Sequence, residues 1–311
     1  MPQGSVLGPL LFIIYSNDIP QSVKECKTTL FADDTTLYIS GDNKDQLFSH
    51  MKTDLTTLID WFRANKLSLN ISKTNYVLFK PKRLKDSDHG IDDDNHVLKF
   101  GTEIIEQRHF VKFLGLLIDE YLDWSYQCKH VMSKLSSSNY MMNSVKNFLP
   151  LDSRKTLYHS FFNSYMMFGI SLWGPAANKY FINKICIQQN RALRIVNNSV
   201  NKVQTKYLYD KLSLLKLNDI IHLEILKLMY KISEGSAPQP LQNIFSSNYA
   251  NHTYNTRHRL DPQYAKSRKY VGIQKSFICI GPSLWSNLDR SIKNCPTLSN
   301  FVNNYKKSIC N

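Results

Sequence analysis

Hydrophobic positions recur along this chain with two different periods, and the change from one to the other falls near Trp124. From Gly4 to Tyr15 the apolar residues Val6, Leu7, Leu10, Leu11 and Ile14 follow helical spacing. That spacing predicts a helix with one buried stripe, stopped by the run from Asn17 to Pro20. The stretch TTLFADDTTLYIS, Thr28 to Ser40, sets β-branched and aromatic runs on either side of two adjacent aspartates and predicts a hairpin. A second helix is predicted from Lys44 to Ala64, with Leu47, Met51, Leu55, Leu58, Ile59 and Phe62 on one face and Asp42 or Asn43 as its cap. Short strands fit KLSLN, TNYVLF, HVLKF, EIIEQRHF and VKFLGLLID, and the charged insert from Lys80 to Asn95 reads as an exposed loop.

Beyond Trp124 the helical period takes over, over Tyr126 to Phe148, Ser153 to Trp173, Asn178 to Asn197 and Asp219 to Glu234, the last closing on Gly235. In the third of these, Ile182, Ile185, Cys186, Gln189, Leu193 and Val196 line one side, while Lys184, Gln188, Arg191 and Arg194 favour the other. One face is core and the opposite face is basic. After the break GSAPQP the tail reads as loops and short strands, with Tyr254, Arg257, Arg259, Tyr264, Lys266, Arg268, Lys269, Tyr270 and Lys275 interleaving aromatics and cations. Three regions follow, residues 1–124, 125–235 and 236–311.

Charge sharpens this division. The whole chain carries a formal net charge of +14, but residues 1–124 are slightly acidic at −4, and residues 125–235 and 236–311 carry +10 and +8. A front half suited to chemistry on carboxylates is thus joined to a remainder suited to gripping a polyanion, or simply to a solvated basic surface. The six cysteines form no C-x-x-C pair and have no histidine at zinc spacing, so reduced thiols in an intracellular protein are expected. No apolar run approaches membrane-spanning length, so no membrane partner is expected.

The candidate chemistry lies at Asp33 and Asp34. Neighbouring carboxylates repel, so a hairpin tip that projects both is costly unless a cation sits between them, and Mg²⁺ prefers one or two carboxylates plus substrate phosphate oxygens. Taken alone, the tetrapeptide FADD also suits a plain turn facing water.

Its neighbours carry a resemblance. PQGSVLGPLLFIIYSNDIP (Pro2 to Pro20), LFADDTTLY (Leu30 to Tyr38), NKLSLNISKTNYVLF (Asn65 to Phe79) and VKFLGLLIDEYLDW (Val111 to Trp124) occur in the order and spacing of a reverse transcriptase. The chain resembles the non-LTR retrotransposon kind, LINE and jockey-like, and LWGPA, QNRALRIV, YNTR and GPSLWSNL are similar to the regions after the polymerase domain. The resemblance implies an α+β fold, a truncated antiparallel palm sheet packed on two helices, followed by a helical thumb and a basic C-terminal region. It implies that Asp33 and Asp34 are the paired aspartates of motif C and contact two Mg²⁺ ions.

The same resemblance assigns Phe31 and Ala32 to substrate and primer approach, and Pro2, Gln3, Gly4 and Ser5 to the motif B loop against template and nucleotide. Lys73 becomes the motif D lysine, a proton donor to pyrophosphate, and Phe113, Leu114 and Gly115 the hairpin under the primer terminus. Lys184, Arg191, Arg194, Arg257, Arg259, Arg268 and Lys269 would hold an RNA template, a DNA primer or their hybrid. A further metal-binding aspartate belongs to motif A, on a strand that precedes motif B. The sequence begins just before Pro2, so that strand, the fingers and any upstream endonuclease are expected to be missing and the chain alone to be inactive. The alternative is a non-catalytic RNA- or DNA-binding remnant of a mobile element.

Overall fold

In the hairpin that carries the aspartates, β1 (Lys27–Phe31) runs antiparallel to β2 (Asp34–Tyr38), with Lys27 opposite Tyr38 and Phe31 opposite Asp34. The computed structural model describes residues 4–81, 96–199, 203–247, 262–263 and 275–310. The chain divides into two compact units, Met1–Val111 and Lys112–Asn311, a boundary that falls ahead of the one expected after Trp124.

In the first unit α1 (Gly8–Ser16) and the short α2 (Ile19–Ser22) lead into the hairpin, and α3 (Lys44–Ala64) follows it. The Asn43 side chain caps α3 by accepting from the N–H groups of Asp45 and Gln46, satisfying donors that the first turn leaves free. The inner face of α3 divides its burial between two small cores. Phe48 and Leu55 pack with Leu98 and Ile105, and Leu58 and Phe62 pack with Ile19, with Leu30 and Leu37 of the hairpin laid against the second.

The expected palm sheet is not continuous. The remaining strands of this unit are two residues long: β3 (Asn75–Tyr76) pairs in parallel with β6 (Glu106–Gln107), and β4 (Lys99–Phe100) pairs with β5 (Glu103–Ile104). KLSLN forms no strand, because the chain leaves α3 through a left-handed Lys66 and then makes a 3-10 turn at Ile71–Lys73. Among the described residues β1 and β2 pair only with each other, so both outer edges of the hairpin are open.

The expected buried stripe of the first helix is also absent. Val6, Leu7, Leu10, Leu11 and Ile14 are all exposed, Val6 at 94%, and only Ser16 of α1 is buried. The hairpin and α3 spend their apolar faces on each other, and among the described residues of this unit none covers the apolar positions of α1. What ties α1 down is its end, where the Tyr15 hydroxyl donates to the Asn65 carbonyl and its ring meets Trp61 edge-on.

The boundary falls within β7 (Phe110–Phe113), which pairs with β8 (Leu116–Asp119) and is followed by α4 (Ser125–Val145). The second predicted helix of this region is broken into α5 (Leu151–Leu157), a π-helical segment Tyr158–Asn163, α6 (Ser164–Met167) and α7 (Ile170–Ala176). The π segment leaves carbonyls without their usual partners, and the Ser138 hydroxyl of α4 donates to the Phe161 carbonyl at 2.9 Å. Then come α8 (Lys179–Val196), α9 (Thr205–Leu212), α10 (Leu217–Ser233) and α11 (Gln239–Gln242), and β9 (Ser246–Ser247) pairs with β10 (Pro262–Gln263).

The tail, expected to be loops and short strands, instead ends in helices α12 (Phe277–Ser286), α13 (Arg290–Lys293) and α14 (Leu298–Cys310). Phe301 of α14 is fully buried against Tyr230 of α10 and Trp285 of α12, so the tail completes the helical core. Among the described residues no helix is long and apolar enough to cross a membrane, and Cys26, Cys128, Cys186, Cys279 and Cys295 are free thiols.

Candidate active site

The hairpin tip is a two-residue loop, Ala32 and Asp33, between the paired residues Phe31 and Asp34. Ala32 takes φ 51°, a left-handed conformation that a β-branched residue would resist, so its small side chain suits the turn. Phe31, Ala32, Asp33 and Asp34 are all exposed. Below the tip, Thr28 and Leu30 of β1 turn toward α3 while Lys27, Thr29 and Phe31 face outward, the alternation that a pleated strand requires.

What anchors this hairpin is a residue the sequence pattern does not reveal. Asp54 sits 1% exposed within α3 and accepts from three backbone N–H groups on the approach to β1: Lys24 at 3.1 Å, Glu25 at 2.9 Å and Cys26 at 2.6 Å. Burial acts to raise the pKa of this carboxyl, and the donors outweigh it, leaving the group below its ordinary value. Burial and the neighbouring Asp54 push the Cys26 thiol up to about 12, so it stays protonated.

The chemistry of the donor set suits a hard divalent cation, since Asp33 and Asp34 offer adjacent carboxylates open to solvent. Among the described residues, however, no group of three or more His, Cys, Asp or Glu side chains converges. The pair would need oxygens from substrate and water to complete a coordination shell.

Ser5, from the predicted motif B loop, accepts from the Gly8 N–H at 3.1 Å through its hydroxyl and so prepares the start of α1, while Gly4 takes φ 89°. Lys73 ends the 3-10 turn with its side chain exposed, and among the described residues no ion pair joins it to Asp33 or Asp34. Pro2 and Gln3 lie outside the described residues, as do Arg257, Arg259, Arg268 and Lys269.

Phe113, Leu114 and Gly115 lie at the turn between β7 and β8. Leu114 and Gly115 have φ 45° and 89°, and a side chain added at Gly115 would meet the Phe168 ring at 3.1 Å. Gly169 answers from the other side: at φ 61°, a Cβ there would meet Leu116 at 2.7 Å. The two glycines let the hairpin turn seat directly on the break between α6 and α7.

Residues 1–118 match the family model of "Reverse transcriptase (RNA-dependent DNA polymerase)". The front of this chain is similar to reverse transcriptases.

Beyond that segment the likeness runs on. The chain is 26% identical over 229 residues to the probable RNA-directed DNA polymerase from transposon X-element of Drosophila melanogaster, covering 71% of this chain and 24% of that protein. It is 26% identical to the probable polymerase from transposon BS of the same fly, over 69% of this chain and 24% of that protein. To the polymerase from mobile element jockey it is 23% identical, over 70% of this chain and 24% of that protein. The chain therefore spans about a quarter of the length of the curated relatives it matches. No solved structure matches it.

Behind the matched segment, α8 carries the basic residues singled out from sequence. Lys184 and Arg191 are exposed and Arg194 is half-buried, with its Nε lacking a hydrogen-bond partner among the described residues. Gln189, on the opposite face, is fully buried, and both ends of its carboxamide are used. Its nitrogen donates to the Leu215 carbonyl at 2.9 Å and the Tyr158 hydroxyl at 3.2 Å, and its oxygen accepts from the Tyr209 hydroxyl at 2.9 Å and the Leu217 N–H at 3.0 Å. This glutamine pins α8 to α9 and α10 and so fixes which face is left to solvent. The sequence signal for it was a polar residue at a core position of an otherwise apolar stripe.

Proposed function

We propose that this chain is the C-terminal part, from motif B onward, of a non-LTR retrotransposon reverse transcriptase that adds dNTPs to a primer 3′-hydroxyl on an RNA template. The observation that carries the reading is the two-residue hairpin tip presenting exposed Asp33 and Asp34 inside the segment that matches the reverse transcriptases. Asp33 and Asp34 would hold Mg²⁺, with triphosphate oxygens completing its shell. When bound, Mg²⁺ activates the primer hydroxyl and neutralises charge on the leaving pyrophosphate.

Around that pair, Ala32 leaves room for the primer backbone, Gly4 and Ser5 shape the loop ahead of α1, and Lys73 would deliver a proton to a pyrophosphate oxygen. Phe113, Leu114 and Gly115 would support the primer terminus, and Lys184, Arg191 and Arg194 would neutralise phosphates of the bound nucleic acid. The open edges of the hairpin and the uncovered α1 favour the view that the working palm includes further polypeptide.

Among the described residues no third ligand joins the two carboxylates, and a pair by itself positions metal and reacting oxygens poorly, so the chain alone is expected not to extend a primer. Primer extension on an RNA template with dNTPs and Mg²⁺ tests this. Extension that Asp33→Ala abolishes would overturn inactivity while confirming the site. The second reading, a remnant that binds nucleic acid without catalysis, is favoured by the same missing ligand together with the basic face of α8. Both readings predict hybrid binding whose affinity falls steeply with salt, and an affinity flat in salt would count against both.

A further inference from the structure

The solvent face of α8 is more than basic. Tyr180, Asn183, Lys184, Ile187 and Arg191 are all exposed and lie at successive helical positions on one stripe, with Tyr180 and Ile187 each 60% exposed. Lys184 holds its ammonium 5.5 Å from the centroid of the Tyr180 ring. The stripe is bordered by α4, where Gln188 donates to the Ser136 hydroxyl at 3.0 Å and accepts from the Asn139 carboxamide at 2.8 Å. One turn beyond Ser136, Tyr140 stands 78% exposed.

A surface that only tracked duplex phosphates would gain nothing from this apolar area. The backbone of a duplex offers phosphate and sugar, so Tyr180 and Ile187 would lose hydration without acquiring a partner. An unpaired strand offers base faces, and these stack on aromatic side chains while cations hold the phosphates between them. The seven helical steps from Tyr180 to Ile187 span about 10 Å along the axis, roughly three stacked-base rises. Neighbouring bases of one strand can therefore reach both side chains. Lys184 lies over the Tyr180 ring, and the ring contact found for Tyr180 among the described residues is edge-to-face with Phe181.

We infer that the α8 stripe binds single-stranded RNA, with bases stacked on Tyr180 and packed on Ile187, phosphates held by Lys184 and Arg191, and the Asn183 carboxamide available to a ribose 2′-hydroxyl. The choice of RNA over DNA rests on the polymerase reading, in which the strand being copied is RNA. The stripe is thus a site for template that has not yet been paired.

The test is fluorescence anisotropy of the full chain with a labelled uridine-rich RNA of about 12 nucleotides, the DNA strand of the same sequence and the matching RNA/DNA hybrid. Tyr180→Ala is expected to weaken RNA binding about 5- to 100-fold, the range for loss of one stacked base, and to change hybrid binding by less than about twofold. Ile187→Ser should shift RNA binding in the same direction by a smaller factor. Both side chains are exposed, and unchanged circular dichroism would show that the variants fold. Equal losses on RNA and hybrid, no loss on RNA, or tighter binding of the DNA strand would overturn the inference. Salt-dependent hybrid binding that survives alongside an unaffected RNA affinity would sink this inference alone. Failure of every nucleic acid to bind would sink the polymerase reading as well.

Discussion

The two units differ in how their apolar surface is closed. In the helical unit a single connected core runs from Leu116 to Tyr305, with Trp173, Phe162, Leu193, Ile225 and Phe301 all inaccessible to solvent. Among the described residues of the first unit, the core consists of two separate clusters of four and three buried side chains, α1 is uncovered, and the aspartate hairpin has no strand on either side. The helical unit closes upon itself, whereas the unit that carries the candidate chemistry does not. Stability built from contiguous burial should therefore be high in one and marginal in the other.

The strongest way to break this comparison is to remove a keystone of the larger core. Trp173 is fully buried and donates from its indole nitrogen to the Phe168 carbonyl at 2.9 Å. Trp173→Ala should cost the helical unit about 3–5 kcal/mol. Urea unfolding followed at Trp124 and Trp285 would register the loss, with Trp61 reporting the first unit. An equal shift at Trp61 would show that the two units unfold together and would end the contrast.

Buried carboxyls sharpen it next. Asp54 in the first unit and Asp119 in the second both accept backbone N–H groups, but with opposite balance. Burial dominates at Asp119, which receives Asp123 N–H at 3.0 Å and Tyr121 N–H at 3.3 Å and has an Oδ2 without a partner among the described residues, so its pKa is raised. At Asp54 the donors prevail and the pKa is lowered. The stabilisation linked to Asp54 is present above its unfolded value, near about 4, and is lost as pH falls through the lowered folded value. The part linked to Asp119 is present below the unfolded value and is lost as pH rises through the raised folded one. Asp54→Ala should cost the first unit about 3 kcal/mol near neutral pH and remove most of its acid sensitivity, read as the pH dependence of the urea midpoint at Trp61. An unchanged acid limb would mean that another group controls it.

The smallest effect is at the cap of α3. Asn43→Ala should lower the stability of the first unit by about 1 kcal/mol and leave the helical unit untouched, measured by the same pair of reporters.

The helix of Lys44 to Ala64 was legible in the sequence to its last residue, because an amphipathic period of that length with an asparagine ahead of it has few alternatives. The hairpin was legible for a similar reason, since two β-branched runs meet at a two-residue turn. The last helix was not, although Leu298, Phe301, Val302, Tyr305 and Ile309 stand at helical spacing. Five asparagines and serines among them lower its intrinsic propensity, and it gains its place only when Phe301 meets Tyr230 and Trp285 from distant parts of the chain. Nor could the pattern reveal Asp54, because a carboxylate on a helix flank looks like any solvated acid until three N–H groups converge on it.

Local order in the residues was thus enough to determine where helices and the acidic turn form, since spacing and capping act within a few residues. Which apolar faces find a partner was decided only in three dimensions. The same helical spacing is buried in Leu193 and Val196 of α8 and exposed in Leu10 and Ile14 of α1, because burial depends on a second surface being present and amphipathicity does not.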